Sequence, residues 1–545
     1  MLRAFALRPS RAKPAPPCMR LVAAVLVCAA AASAQVIVHV DQVLRPVPPQ
    51  LVGANLTSYG KTGTSVADWE PCCLGPASML PQPVALWRTP GGILGDFFHL
   101  NGLYDNTNLG GVPNGVDLIH FVNVAERLHG GLVHVLNINA SDQELVNEVE
   151  YLNSQAPATP DPAWTRTSFR FDAIAPAGYF AWLRGQHGHP APASVKYLEI
   201  GNEVWNTFND TDTRCNHDAT CYGVQAAALS RKLKQKDPAV QVGVSILTLG
   251  QSANPAYLAP RIHAGFKSAG TSPDFVFDHG YYNCKPGPEN GTEAQESVLW
   301  ADGIAAVARR NRRELTAAFG ADRAARIALF LDEFGPQACG NGPDAWEGFG
   351  PWQAAAAAHV YAAALHAGFT HVSYYSWNGD PQNADAAGYG LVNGTSTVDA
   401  NFWGVWLASR FLAGAASEMA VTGAPAAVRA FAVRSRSELR VLLVNGSSTA
   451  PATISLTVSG ATAGRAVRVR LDPSYAATGV PARRRAVPQT TPRPAPANLS
   501  AVELPALSAT LLEIPVTIAS SRGRSSRTSG SRSSSRCSGR GPSCR

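Results

Sequence analysis

The sequence predicts an α/β chain built as a (β/α)8 TIM barrel followed by a C-terminal antiparallel β-sandwich. Three observations predict it. From about Leu51 to Ala413, eight short apolar or β-branched runs alternate with longer helical stretches, the pattern of repeated βα units. From Gly414 onward the texture changes to short alternating strands separated by turn residues. The length of 545 residues is too great for one ordinary core, and a barrel alone takes roughly 250 to 400, so two folded units are expected.

The N-terminus sets the compartment. Arg3, Arg8, Arg11, Lys13 and Arg20 precede an apolar run from Leu21 that ends in the small triplet Ala32-Ser33-Ala34, which reads as a signal peptide over residues 1–34. A membrane anchor is the competing reading, but a run of about a dozen apolar residues is short of the roughly 20 needed to span. A secreted, extracellular protein with no membrane anchor after cleavage follows. Removing Cys18 and Cys28 leaves the even set Cys72, Cys73, Cys215, Cys221, Cys284, Cys339, Cys537 and Cys544, as expected after export. Cys215 and Cys221 are spaced to close a small loop. No Cys-x2-Cys or His-x3-His pair accompanies these cysteines, so no metal site is expected. Sequons at Asn55, Asn139, Asn209, Asn290, Asn393, Asn445 and Asn498 are compatible with glycosylation.

Next come the strands. Residues 35–46, around VIVHVDQVL, form an N-terminal strand that is free to join the sandwich before the chain enters the barrel at 47–413. The eight barrel runs are LVGANL, VALWRTPGG, GLVHVLNIN, VKYLEIGNE, VQVGVSIL, FVFDHGYY, IALFLDEFG and HVSYYSWNG. In most of them the apolar half comes first and the polar half last, which buries the strand and leaves its C-terminal end for chemistry. A doubly wound open sheet is the rival, but no GxGxxG loop opens its first unit. The sandwich occupies 414–518, and a Ser/Arg/Gly tail at 519–545 lacks the apolar residues to pack.

Net charge excludes more than it suggests. The formal value is +7, yet the stretch from Ser520 to Arg545 alone contains seven arginines and no acid. The body between the two basic ends is mildly acidic, so no electrostatic case for a nucleic-acid partner remains there.

Two glutamates carry the candidate chemistry. The fourth run ends in Gly201-Asn202-Glu203 and the seventh in Asp332-Glu333-Phe334, so each glutamate closes an apolar strand where a loop begins. Their separation is that of three βα units of about 40 residues, which puts both on one barrel face. Glycosidic cleavage needs such a pair, one carboxyl to protonate the leaving oxygen and one to attack or to activate water. No organic cofactor is called for.

These motifs resemble those of the retaining glycoside hydrolases of clan A, with Asn202-Glu203 ending strand four and Glu333 ending strand seven. Within the clan, Arg88-Thr89-Pro90-Gly91-Gly92 is similar to the Arg-Phe-Pro-Gly-Gly of family 51 α-L-arabinofuranosidases, and His279-Gly280-Tyr281 to their His-x-Tyr. The related family 39 and 79 enzymes, β-xylosidases and β-glucuronidases, share the layout. The resemblance covers about Gln35 to Ala519. It implies Glu203 as acid/base, Glu333 as nucleophile, Asn202 as a donor to the neighbouring sugar hydroxyl, and a covalent glycosyl-enzyme. Phe334-Gly335 follows Glu333 where that family commonly has Trp.

Further substrate-facing candidates are Arg88, His279, Tyr281, Trp377, Trp205 and Asn139. His279 and Tyr281 read equally as packing or loop residues, and a core Trp377 would look the same as a sugar platform. The leading expectation is a glycosidase acting on extracellular polysaccharide or oligosaccharide, with α-L-arabinofuranoside first. An endo-β-glycanase, a β-xylosidase or a β-glucuronidase, and a non-catalytic carbohydrate-binding wall protein, are the alternatives.

Overall fold

The computed structural model describes residues 34–57, 73–100, 116–157, 174–204, 214–216, 218–246, 259–282, 291–336, 352–378, 390–392, 398–472 and 492–518. The segment before Ala34, read above as a signal peptide, lies outside the described residues, as do Trp205 and the Ser/Arg tail. The described residues from Ala34 onward form one compact unit.

Eight parallel strands close a barrel: β2 (Val52–Asn55), β3 (Leu86–Thr89), β4 (Gly131–Leu136), β5 (Tyr197–Ile200), β6 (Gln241–Ser245), β7 (Phe275–Tyr282), β8 (Ala328–Pro336) and β9 (His371–Tyr374). Seven fall within the runs read from the sequence, and β8 extends one residue past its run, to Pro336. Alternation along the strands divides them into two kinds of contact. Leu86, Val133, Tyr197, Phe275, Phe277 and Phe330 point inward and form a separate apolar cluster in the barrel. Their neighbours Trp87, Leu198, Val276, Leu329 and Leu331 belong to the larger core shared with the helices. Further along the same strands the inward positions turn polar, with Asn55, Arg88, Glu199 and His279 all fully buried.

The helices start where short polar side chains can accept the first free N–H groups. Asp117, Ser141 and Asp218 accept from His120, Glu144 and Cys221 at the heads of Leu118–Arg127, Asp142–Asn153 and Ala219–Lys236. The Ala-rich helix Gln353–Ala367 is buried from Gln353 to Leu365, with no polar face. It packs on barrel strand β8 and also on the second sheet, and its small side chains permit both approaches.

That second sheet has ten strands: β1 (Ala34–Pro46), β10 (Ser417–Thr422), β11 (Val428–Arg434), β12 (Glu438–Asn445), β13 (Ala452–Ser459), β14 (Ala461–Ala463), β15 (Val467–Leu471), β16 (Ala495–Pro496), β17 (Val502–Leu504) and β18 (Ser508–Ile518). The order is β16-β15-β18-β12-β11-β10-β1-β13-β17, with β14 on β18. One pairing differs from a purely antiparallel sandwich. β1 runs antiparallel to β10 but parallel to β13, so the first strand of the chain sits inside the sheet.

Strand period explains the sheet's two faces. Leu439, Val441 and Leu443 of β12, with Leu512, Ile514 and Val516 of β18, line a core of the sheet's own together with Val36, Val38, Ile454 and Val502. The alternate residues Leu442, Val444, Ala509 and Leu511 join the barrel's core. Polar contacts close the seam: Arg410 binds Glu513 through two bonds of 2.8 Å, and Arg45 and His366 both reach the buried Glu418. Cys215 and Cys221 form the small-loop disulfide. No helix among the described residues is long and apolar enough to cross a membrane.

Candidate active site

Arg88 on β3 is the hub of the polar layer. Its Nε donates to Glu199 Oε2 at 2.7 Å and lies 3.3 Å from Asp332 Oδ2. Nη1 donates to Asn55 Oδ1 at 3.0 Å and to Glu333 Oε1 at 2.5 Å, and Nη2 donates to Asn202 Oδ1 at 2.7 Å. Burial works to discharge the guanidinium, but the carboxylates of Glu199, Asp332 and Glu333 outweigh it and hold its pKa well above the ordinary value.

Glu333 receives three donors. Besides Arg88, the Tyr281 hydroxyl reaches Oε2 at 2.5 Å and the backbone N–H of Gly92 reaches Oε1 at 3.1 Å. Glycine is required at position 92 because φ is +72° and a Cβ there would stand 2.5 Å from the Tyr375 hydroxyl.

Glu203 arrives by a turn. β5 ends at Ile200, Gly201 takes φ +73°, and Asn202 N–H donates to Asp96 Oδ1 at 2.6 Å. This brings Glu203, three residues beyond the strand, to His279 Nδ1 at 2.9 Å from its Oε1. Its side chain is 17% exposed against 3% for Glu333. Single atoms of Glu203, His279 and Glu333 all lie within 4.8 Å of one another. These are donor types that can hold a metal ion. Here Glu333 already faces Arg88, Gly92 and Tyr281, and His279 is ion-paired with Asp332, so the three read as part of a cluster of hydrogen bonds and ion pairs.

A β-bulge makes the cluster possible. The pairing of β7 with β8 passes from Asp278 opposite Leu331 to His279 opposite Glu333, leaving Asp332 as the extra residue. Asp332 and Glu333 therefore both reach Arg88, where strict alternation would send one of them to the outside. Burial drives the Glu199 carboxyl well above the usual range, whereas Asp332, despite its burial, is held low by Arg88 and His279. Burial thus favours the protonated form of Glu199, and the two cations favour the ionised form of Asp332. Burial would discharge His279, but Glu333 and Asp332 override it and hold the imidazole protonated well above its ordinary value.

The structure brings together Arg88, Asn202, Glu203, His279, Tyr281 and Glu333. Asn139 lies one step away: its Nδ2 donates to the Asp96 carbonyl, whose side chain holds Asn202. Trp377 corrects the sequence reading. It is fully buried, edge-on to Trp87 at 5.1 Å and to Phe402 at 5.9 Å, so it is core and presents no face to a sugar. Among the described residues, Tyr375 is an aromatic residue beside the cluster, set edge-on to Tyr281 at 6.3 Å. Two sequons are likewise corrected as glycan acceptors. The Asn55 amide is buried and donates to Asp332 and Tyr374 carbonyls, and that of Asn445 is buried on Ala450, Leu504 and Pro505 carbonyls.

Sequence reasoning missed Glu199, Asp332, Asn55, Asp96 and the Gly92 N–H. Glu199 has a signal, since it is an acid at an inward position, two residues after the inward Tyr197. Asp332 has none without the bulge.

The fold is shared with several solved glycoside hydrolases. An α-L-arabinofuranosidase from Thermotoga maritima, solved with arabinose, superposes with a TM-score of 0.66 at 15% identity, covering 89% of this chain and 100% of that one. The GH51 arabinofuranosidase from Xanthomonas axonopodis pv. citri gives 0.64 at 18% identity, over 88% and 99%. A family 44 xyloglucanase from Paenibacillus polymyxa gives 0.54 at 12% identity, over 88% and 99%. No family model and no curated protein matches the sequence.

Proposed function

We propose that this chain is a secreted retaining glycoside hydrolase in which Glu203 is the acid/base and Glu333 the nucleophile. The observation that carries the reading is the approach of the two glutamates to within 4.8 Å across the C-terminal end of the barrel, with three donors converging on Glu333. Carboxyl groups about 5–5.5 Å apart suit direct attack, whereas roughly 6.5–9.5 Å leaves room for an attacking water. The close approach supports a double displacement.

In the first step Glu333 attacks the anomeric carbon while Glu203 protonates the departing oxygen. In the second, Glu203 takes a proton from the water that releases the sugar. Arg88 holds Oδ1 of Asn202, which leaves the amide Nδ2 as a donor for the sugar hydroxyl beside the reacting carbon. The first substrate to try is an α-L-arabinofuranoside, supported by the Arg88–Gly92 and His279–Tyr281 motifs and by the fold likeness to arabinofuranosidases. Secretion is supported by the signal-like segment before Gln35.

The test is turnover of an aryl-glycoside panel (α-L-arabinofuranoside, β-xyloside, β-glucoside, β-glucuronide) by wild type, Glu203→Ala and Glu333→Ala. Hydrolysis of one series, abolished in Glu333→Ala and rescued by azide in Glu203→Ala, is the expected result. Silence across the panel, with polysaccharide binding intact, would move the reading to an endo-acting enzyme or a binding module.

A further inference from the structure

We propose that Asp332 is a positioning residue that acts through His279: it anchors Nε2 of the imidazole, so that Nδ1 stands between Glu203 and Glu333 and serves whichever of them bears the negative charge. The inference rests on the two-glutamate reading above and adds a residue to it.

The geometry is a chain of contacts. His279 Nε2 and Asp332 Oδ1 form an ion pair at 3.1 Å without the alignment of a hydrogen bond, while Nδ1 lies 2.9 Å from Glu203 Oε1 and 3.5 Å from Glu333 Oε2. Phe277 covers the ring face at 6.1 Å with a 28° tilt, and the imidazole is fully buried, so its orientation is defined by packing as well as by Asp332. Asp332 is fully buried and held in turn by Arg88, and it reaches this place only through the bulge in β8.

Charge balance says why such an anchor is needed. The imidazole touches Glu203, just beyond β5, and Asp332 and Glu333 of β8; the other titratable groups of this polar layer and its strands are Arg88 of β3, Glu199 of β5, Asp278 and Tyr281 on its own strand, and His371 of β9. Burial keeps His371 neutral, with its pKa lowered to about 4, and raises Asp278 to about 8. With the proton that burial favours on Glu199, the cations Arg88 and His279 face Asp332 and, in the two-glutamate reading, the single charge that Glu333 and Glu203 exchange. A buried cluster strongly favours that neutral count.

The reaction moves this one charge without changing it. In the first step the Glu333 oxygen bonds to the anomeric carbon, the bond from that carbon to the leaving oxygen breaks, and the proton of Glu203 goes to the leaving group. The negative charge thereby passes from Glu333 to Glu203. In the second step water bonds to the carbon, the Glu333 ester bond breaks, and the water proton goes to Glu203, returning the charge. An N–H fixed between both carboxylates stabilises either location with no rearrangement, the form of preorganisation that lowers barriers most.

The experiment follows the imidazole directly. In the full chain labelled at histidine Cε1, the His279 resonance is the one missing from His279→Gln. Wild type should keep this ring protonated well above the ordinary histidine range, and Asp332→Asn should shift its transition to lower pH. The same variant should lose about 100-fold in kcat/KM through kcat, with KM little changed and the basic limb of the pH profile moved to lower pH. An unchanged His279 titration in Asp332→Asn would overturn the proposal. A wild-type ring that is neutral at about pH 7 would overturn it also, and that measurement does not depend on the variant folding. The titration needs no turnover, so the two failures are distinguishable: hydrolysis with an unchanged His279 titration would overturn this inference alone, whereas a cationic His279 in a protein that hydrolyses nothing would overturn the two-glutamate reading, and with it the catalytic part of this one, leaving only the Asp332–His279 contact.

Discussion

Tyr281 and Trp377 are both substrate-facing candidates in the sequence, and their surroundings separate them. The Tyr281 hydroxyl bonds Glu333 at 2.5 Å, so Tyr281→Phe should lower kcat about 10- to 100-fold while the melting temperature stays close to wild type. Trp377 has no exposed surface and packs on Trp87 and Phe402. Trp377→Ala should cost about 3–5 kcal/mol in denaturant unfolding, with no selective rise in KM for the fraction that folds. A selective KM defect in a stable Trp377→Ala protein would restore it as a platform. The contrast shows what is readable at this scale. Glutamates, an arginine and a tyrosine at strand ends announce chemistry by type, because charged groups are rarely buried without a task. An aromatic at a strand end does not, because the same ring fills a core or a binding surface.

At the scale of elements, the turn after β5 and the bulge in β8 aim the side chains. Gly201 has φ +73°, and a Cβ there would stand 2.7 Å from Val204 Cγ1. Gly201→Ala should therefore destabilise the fold by about 1–2 kcal/mol and displace Glu203, lowering kcat/KM by about 100-fold. Wild-type turnover in Gly201→Ala would show that the turn does not position Glu203. All eight barrel strands are legible as sequence runs, because an inward-facing residue alternates with one packed on helices and both are apolar in the lower barrel. The bulge is not legible. Its consequence is that Asp332 reads as an outward residue next to Glu333, whereas both face Arg88. The parallel pairing of β1 with β13 is equally hidden, since alternation marks a strand but says nothing about its neighbour.

For the whole molecule, the buried acids set how stability responds to pH. Burial raises the Asp278 carboxyl to about 8, partly opposed by Arg310 and His279. Between the ordinary aspartate value near 4 and about 8, the folded state thus holds a proton that the unfolded chain has lost, and stability falls as pH rises through that window. Asp278→Asn should flatten this part of the stability curve in melts from about pH 5 to about pH 8, and an unchanged slope would assign it to other groups. What the sequence by itself determined was the order and kind of the elements, the division into barrel and second sheet, and the two glutamates with Arg88, His279 and Tyr281 around them. Strand period, turn residues and residue chemistry are local properties, and they are written along the chain. Only the tertiary structure decided that Trp377 is core, that Glu199 and Asp332 complete the polar layer, and that β1 sits inside the second sheet. Those outcomes depend on which residues distant in sequence come to share one barrel interior, and on a single extra residue in β8 that turns a carboxylate inward.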